Sequence, residues 1–156
     1  MALPALKRCQ LFAGLNDPEL SQIAGLTESC EYSAGDAIFV EGTPASELLI
    51  VEEGKVALQM VMAETPVSGA RRVTIDIITE NEILGWSSLV EPYVYTLAAV
   101  ALQKTRILSV DGPGLRTLME RNKEIGYAIT RGLIKVIADR LAATRHVLVS
   151  ERLLSH

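Results

Sequence analysis

Residues 30–58 read CEYSAGDAIFVEGTPASELLIVEEGKVAL, in which short apolar and β-branched runs alternate with turns that contain glycine. Runs such as DAIFV and ELLIVE are typical of β-strands, and Gly42 and Gly54 mark tight turns between such runs. The same pattern continues to about Val110. Many short strands at close spacing favour an antiparallel barrel or roll, because closing the sheet removes exposed strand edges.

Helical patterns flank this β region on both sides. From Asn16 to Leu26 a capping residue, Pro18 at the first helical position and apolar residues at helical spacing predict a short helix. After the β region, Asp111 is the candidate cap of a short helix. Asn122 is the candidate cap of a long helix that ends at about Arg152.

The long C-terminal helix predicts a homodimer. About thirty residues of helix extend ~45 Å at 1.5 Å rise per residue, which is longer than a roll of this size covers. Part of the apolar stripe of this helix therefore needs a second chain. The candidate dimer contacts are Ile129, Leu133, Val136, Ile137, Leu141 and Val147.

The composition excludes several classes of protein. The chain has 156 residues, of which 49% are hydrophobic and 22% charged, which is typical of a globular chain with one core. No apolar run is long enough to span a membrane, and the start MALPALKRCQ does not resemble a secretory signal, so we expect a cytoplasmic protein. Two cysteines and two histidines without metal-ligand spacing predict no metal site. A net charge of −4 gives no general attraction to nucleic acid.

Residues 11–58 resemble the start of cyclic nucleotide-binding domains of the Crp/Fnr kind. The matching positions are Leu11-Phe12, Leu15, Glu19-Leu20, Gly35-Asp36, Ile38, Glu41-Gly42, Leu49-Ile50 and Gly54. The resemblance implies a single domain over residues 1–156 that is mainly β with α. We expect an antiparallel β-roll (a double-stranded β-helix, or cupin-like jelly roll) at about 31–110, with the short helix before it and a long dimerisation helix at about 122–152.

The ligand site of that family is a phosphate-binding cassette, and residues 85–99, GWSSLVEPYVYTLAA, resemble it in outline. In the family a glycine-glutamate pair opens a short helix and a proline-arginine turn follows. The glutamate binds the ribose hydroxyl and the arginine binds the cyclic phosphate. The positions that match are Gly85, Leu89, Pro92 and Thr96. Trp86 stands at the glutamate position, and the arginine position falls on Tyr93 or Tyr95, depending on whether the proline or the glycine fixes the alignment.

The charges around this loop disfavour a phosphate. No lysine or arginine occurs from Val73 to Gln103. The acidic residues in that span are Asp76, Glu80, Glu82 and Glu91. A cyclic phosphate in the loop therefore lacks a charged partner, worth ~1.5–3 kcal/mol per hydrogen bond, and we expect weak or no binding of cyclic AMP and cyclic GMP.

The resemblance also matches Arg140 and Thr144 to an arginine and a threonine of the family's dimerisation helix that reach the nucleotide. Either Arg140 brings a positive charge to the pocket, or it is a solvated or salt-bridged helix residue.

The remaining side chains of the loop leave two alternatives open. The aromatic group of Trp86, Tyr93 and Tyr95 either lines an apolar pocket for an effector or fills the pocket. Similarly, Ser87, Ser88 and Thr96 either bond a ligand or cap the short helix and satisfy the turn.

These patterns predict a regulatory, effector-sensing domain and no enzyme, since no catalytic, metal-binding or cofactor-binding motif occurs. The predicted partners are a second copy of the chain, a small-molecule effector and an unidentified protein. The alternatives are a ligand-free dimeric interaction module, or the sensory half of a Crp/Fnr transcription regulator. The chain stops near the hinge where the family's helix-turn-helix begins, so we expect no direct DNA binding by the chain as given.

Overall fold

The computed structural model describes residues 2–65 and 69–154 of the chain. The helices are α1 (Leu3–Arg8), α2 (Asp17–Ala24), α3 (Gly112–Arg121) and α4 (Lys123–Leu154), with short 3-10 turns at Gln10–Phe12 and Trp86–Leu89. The described strands are β1 (Thr27–Tyr32), β2 (Ala37–Phe39), β3 (Glu47–Glu53), β4 (Val56–Thr65), β5 (Gly69–Ile78), β6 (Ile83–Leu84), β7 (Ala98–Ala101) and β8 (Thr105–Asp111).

The strands form two antiparallel four-stranded sheets, in the orders β1-β8-β3-β6 and β2-β7-β4-β5. This arrangement confirms the predicted β-roll with a helix before it and a long helix after it. The roll begins earlier than predicted, at Thr27, because β1 pairs with β8 from Thr27 opposite Val110 to Tyr32 opposite Thr105. The sequence of β1, TESCEY, carries no apolar alternation that marks it as a strand.

Strand β3 is buried on both faces and joins two parts of the core. Leu49 and Val51 point into the roll, where they pack with residues of both sheets. Leu48 and Ile50 point outward and pack under the helices. The continuous apolar run Leu48–Val51 therefore has a physical reason, since both faces of this strand are covered.

Helix α2 begins as the sequence predicts. The side chain of Asn16 accepts a hydrogen bond from the backbone N–H of Glu19 at 3.0 Å, and the Glu19 carboxylate accepts one from the N–H of Asn16 at 2.9 Å. This reciprocal pair forms a capping box, which satisfies backbone donors that a helix start leaves free.

The fully buried residues of helix α4 all lie in its first half. Ile125, Ile129, Leu133 and Val136 are buried in the same cluster as α1 and α2. Three of the predicted dimer contacts, Ile129, Leu133 and Val136, are thus buried within the chain itself, in one cluster with residues of the N-terminal helices. Of the other predicted contacts, Ile137 is partly buried, whereas Leu141 and Val147 are more than half exposed.

The part of the chain that the structure describes contains no group of side chains that could hold a metal ion, and none of its helices is long and apolar enough to cross a membrane. Cys9 and Cys30 are both free thiols. Burial raises the pKa of the Cys9 thiol to about 11, so this thiol stays protonated and unreactive at neutral pH.

Candidate ligand-binding site

A cavity of about 310 Å³ lies between the sheet β2-β7-β4-β5, the Trp86–Leu89 turn and the middle of α4. Of the predicted ligand residues, those that line it are Gly85, Trp86, Ser87, Tyr95, Thr96, Arg140 and Thr144. Ser88 and Tyr93 do not line it. The structure thus brings together residues that are more than forty positions apart in the sequence.

Gly85 gives the loop its shape. Its φ of +77° lies in the left-handed region, which costs other residues energy because of their Cβ atom. A Cβ at this position would also lie 3.0 Å from the Glu47 carbonyl oxygen and 3.3 Å from the Tyr95 ring. The backbone at Gly85 therefore passes close to Glu47 and Tyr95. The 3-10 turn that follows places Trp86 on the cavity wall.

Ser88 stabilises the 3-10 turn at Trp86–Leu89. Its side chain is fully buried, and its hydroxyl donates a 2.8 Å hydrogen bond to the Gly85 carbonyl. Of the two readings of this serine, the structure therefore supports the turn-stabilising one.

Tyr93 faces away from the cavity, toward α3. The guanidinium of Arg116 lies 3.9 Å from the centre of the Tyr93 ring, and Arg116 also donates a hydrogen bond to the Ser88 carbonyl. Arg116 was not among the predicted residues, since it lies on α3, far from the loop in sequence. The cation–π contact and the hydrogen bond fix the outer side of the loop.

Tyr95 forms the floor of the cavity. Its ring stacks on Phe39 with 3.9 Å between centroids, and its hydroxyl donates a 2.8 Å hydrogen bond to the Glu47 carbonyl. Burial raises the pKa of this phenol. Tyr95 thus occupies space on one side of the cavity, and Trp86 lines its wall.

Arg140 reaches the cavity from α4. It donates a hydrogen bond to the Ile83 carbonyl, two residues before Gly85, and its guanidinium carbon lies 4.6 Å from the centre of the Trp86 ring. Burial lowers the pKa of this guanidinium, and the carboxylates of Asp76 and Glu82 act in the opposite direction. The structure therefore places the Arg140 side chain on the cavity wall. The Thr144 hydroxyl donates to the backbone carbonyl of Arg140 at 2.9 Å.

A β-bulge brings a carboxylate to the cavity wall. Leu58 pairs with Asp76 but the next residue, Gln59, pairs with Thr74, so Ile75 is the extra residue of β5. Bulges re-aim side chains, and here the consecutive residues Ile75 and Asp76 both line the cavity. The sequence marks Asp76 only as one of the acidic residues near the loop, and regular strand alternation would turn it and Ile75 to opposite faces.

The charges on the cavity wall balance. Asp76 and Arg140 are its charged lining residues, and the rest of the lining is mostly aromatic or aliphatic, with the hydroxyls of Ser87, Thr96 and Thr144. Phe39, Leu58 and Leu97 are apolar lining residues that the sequence did not single out. Such a wall suits a small, mostly apolar molecule with few polar groups.

The model of the cyclic nucleotide-binding domain family matches residues 29–122 of the chain. A proposed cyclic nucleotide-binding protein from Geobacter metallireducens GS-15 is 28% identical in sequence and superimposes with a TM-score of 0.76, over 90% of this chain and 98% of that one. The N-terminal domain of a transcriptional regulator from Streptomyces coelicolor A3(2) is also 28% identical, with a TM-score of 0.68 over 92% of this chain and 94% of that one.

A curated relative extends beyond the matched region. The CRP-like cAMP-activated global transcriptional regulator of Mycobacterium tuberculosis is 24% identical over 141 residues, which make up 90% of this chain and 59% of the regulator. The chain therefore spans 59% of the length of this relative.

Proposed function

The chain belongs to the cyclic nucleotide-binding domain family, and on this premise we propose that it is a regulatory, effector-sensing domain that binds cyclic AMP and cyclic GMP weakly or not at all. The family membership confirms the resemblance seen in residues 11–58. The relatives named above are regulators or binding proteins by name, which supports a regulatory role over an enzymatic one.

The observation that carries the proposal is the charge balance of the cavity. A cyclic phosphate brings one negative charge, and the loop side of the cavity offers no basic side chain to receive it. The Asp76 carboxylate on the same wall repels an anion. Among the described residues that line the cavity, Arg140 is the one cation, so a cyclic phosphate finds a single basic partner there and faces the Asp76 carboxylate as well.

We expect isothermal titration to show that cyclic AMP and cyclic GMP bind with dissociation constants in the millimolar range or weaker. Two charge-assisted hydrogen bonds at ~1.5–3 kcal/mol each correspond to a loss of roughly 10²–10⁴ in affinity. Micromolar binding of either nucleotide would contradict the proposal. If weak binding is seen, Arg140→Gln should abolish it. The matched variant Arg131→Gln, at an exposed position of the same helix, should leave it unchanged.

A second observation favours dimerisation as part of this function. In the described part of α4, exposed apolar or aromatic residues recur at every seventh position. These residues are Tyr127, Ile134, Leu141 and Leu148. A seven-residue repeat of this kind is typical of a coiled-coil seam, and it lies on a different face from the buried contacts of α4. We propose a homodimer along this seam, in which α4 passes the state of the cavity to a protein partner.

We expect equilibrium sedimentation at micromolar concentration to show a dimer, and the double variant Ile134→Glu with Leu148→Glu to weaken it about 100-fold or more. In a symmetric seam the introduced carboxylates face one another, and such like-charge pairs cost several kcal/mol. Leu102→Glu provides the matched control, because Leu102 is also an exposed apolar residue but lies outside α4. A monomeric wild-type chain would refute the seam.

The length of the Mycobacterium tuberculosis relative supports a third role, as part of a larger regulator. Since the chain spans 59% of a cAMP-activated transcriptional regulator, the same domain can act as the sensory half of a larger regulator. In that arrangement α4 carries the signal toward its C-terminal end.

A further inference from the structure

The cavity wall holds two opposite charges that do not touch. Asp76 and Arg140 both line the cavity, and among the described residues the Asp76 carboxylate forms no ion pair. The Asp76 carboxylate accepts a hydrogen bond from the N–H of Ile77, its neighbour on β5, at 2.9 Å. Two opposite charges that line one cavity without forming an ion pair make a dipolar site, whose complement is a molecule with one positive and one negative group.

The rest of the wall selects for a ring. Trp86 and Tyr95 contribute aromatic surface, and Leu58, Ile75 and Leu97 contribute aliphatic surface. Planar rings bury well against such side chains and gain from offset stacking. The volume of about 310 Å³ lies at the lower end of small-molecule sites, which span ~300–1,000 Å³, so the ligand is small.

We propose that this cavity binds a small aromatic zwitterion, of the class of the aromatic α-amino acids, with its carboxylate on Arg140, its ammonium on Asp76 and its ring against Trp86. This inference rests on the proposed function, since it names the effector class of the same site. The hydroxyls of Ser87 and Thr96 are available for the remaining polar atoms of the ligand.

Molecules with other charges fit the wall less well. An aromatic acid leaves Asp76 facing a second negative charge, and an aromatic amine places a cation beside Arg140. An uncharged aromatic molecule displaces water beside the wall charges without giving the Asp76 carboxylate a charged partner, which is unfavourable. A zwitterion is the one class that satisfies both charges while it brings no net charge into the cavity.

The test titrates the purified chain by calorimetry with phenylalanine, tyrosine and tryptophan. Each amino acid is paired with its decarboxylated amine and its deaminated acid: phenethylamine and 3-phenylpropionate, tyramine and 3-(4-hydroxyphenyl)propionate, tryptamine and indole-3-propionate. We expect at least one amino acid to bind tenfold or more tightly than both of its analogues. If no amino acid shows this preference, the inference is overturned.

Variants assign the charges to their residues. Asp76→Asn keeps the shape of the side chain and is expected to weaken amino-acid binding tenfold or more, while the matching aromatic acid binds as well as before or better. Glu91→Gln is the matched control, because Glu91 is exposed, belongs to the same loop region and does not line the cavity. An equal loss of binding in both variants would overturn the contact with Asp76.

The same titrations separate this inference from the proposed function. Tight binding of cyclic AMP with no amino-acid binding would overturn both. No binding of either class would overturn the zwitterion alone, because a cavity closed to cyclic nucleotides remains consistent with a different effector.

Discussion

Gly132→Ala is expected to lower the free energy of unfolding by roughly 2 kcal/mol, although alanine is the better helix former. At Gly132, α4 passes so close to the N-terminal segment that an added Cβ would lie 2.2 Å from the Leu11 carbonyl oxygen and 3.0 Å from its carbonyl carbon. Overpacking of this kind costs up to ~3 kcal/mol, and a backbone carbonyl cannot rotate away as a side chain does. The gain in helix propensity is only ~1 kcal/mol, so the clash prevails.

Urea denaturation at a fixed protein concentration measures this change, with the fluorescence of Trp86, the one tryptophan of the chain, as the signal. Gly25→Ala is the matched control, since Gly25 has a φ of −67° and the nearest atom to its added Cβ is 3.5 Å away. That variant should be as stable as the wild type or slightly more so. A Gly132→Ala protein that gained stability would show that α4 packs less closely than the structure has it.

The sequence predicted the roll because its turns carry a local signal. Gly35, Gly42 and Gly54 all adopt positive φ, and each separates two runs that become strands. The long helix was predicted for a similar reason, since its apolar residues recur at helical spacing. Strand β1 was placed too late because its register depends on pairing with β8, nearly eighty residues away.

The partner of each helix face could not be predicted in the same way. Ile129 and Leu133 are apolar residues on α4, and so are Ile134 and Leu141, but the first two are buried by the chain itself and the last two are exposed. Periodicity shows which residues share a face. It does not show whether that face packs within the chain or on a second copy, because this depends on where α1 and α2 lie in space.

For the site, too, local sequence motifs identified some residues, whereas the orientation of others depends on the fold. The family resemblance identified Gly85, Trp86 and Arg140, which the structure places on one cavity. Asp76 was missed as a lining residue because a bulge, which no local sequence signal marks here, turns it to the wall. Tyr93 was included although it faces Arg116, because loop alignment alone could not tell which side of the backbone it occupies.

Arg140→Met is expected to lower the free energy of unfolding by about 2 kcal/mol, because the Ile83 carbonyl then loses the charged donor that α4 supplies. Methionine keeps the apolar length of the side chain, so packing changes little and the effect reports the lost polar contact. The loss of the guanidinium from the face of Trp86 removes a further contact, and the emission of that indole should change in the folded state.

Arg140→Lys separates charge from geometry in this contact. Lysine retains the positive charge, but its ammonium lacks the planar fork with which arginine bonds the Ile83 carbonyl and covers the Trp86 ring at the same time. We therefore expect Arg140→Lys to lose at least half of the stability that Arg140→Met loses. Arg131→Met changes another arginine of α4, at an exposed position. It should change the free energy of unfolding by less than about 0.5 kcal/mol. If Arg140→Met changed the free energy of unfolding as little as Arg131→Met, Arg140 would be a solvated residue. An effector in the cavity could then not act on α4 through the contact between Arg140 and the Ile83 carbonyl.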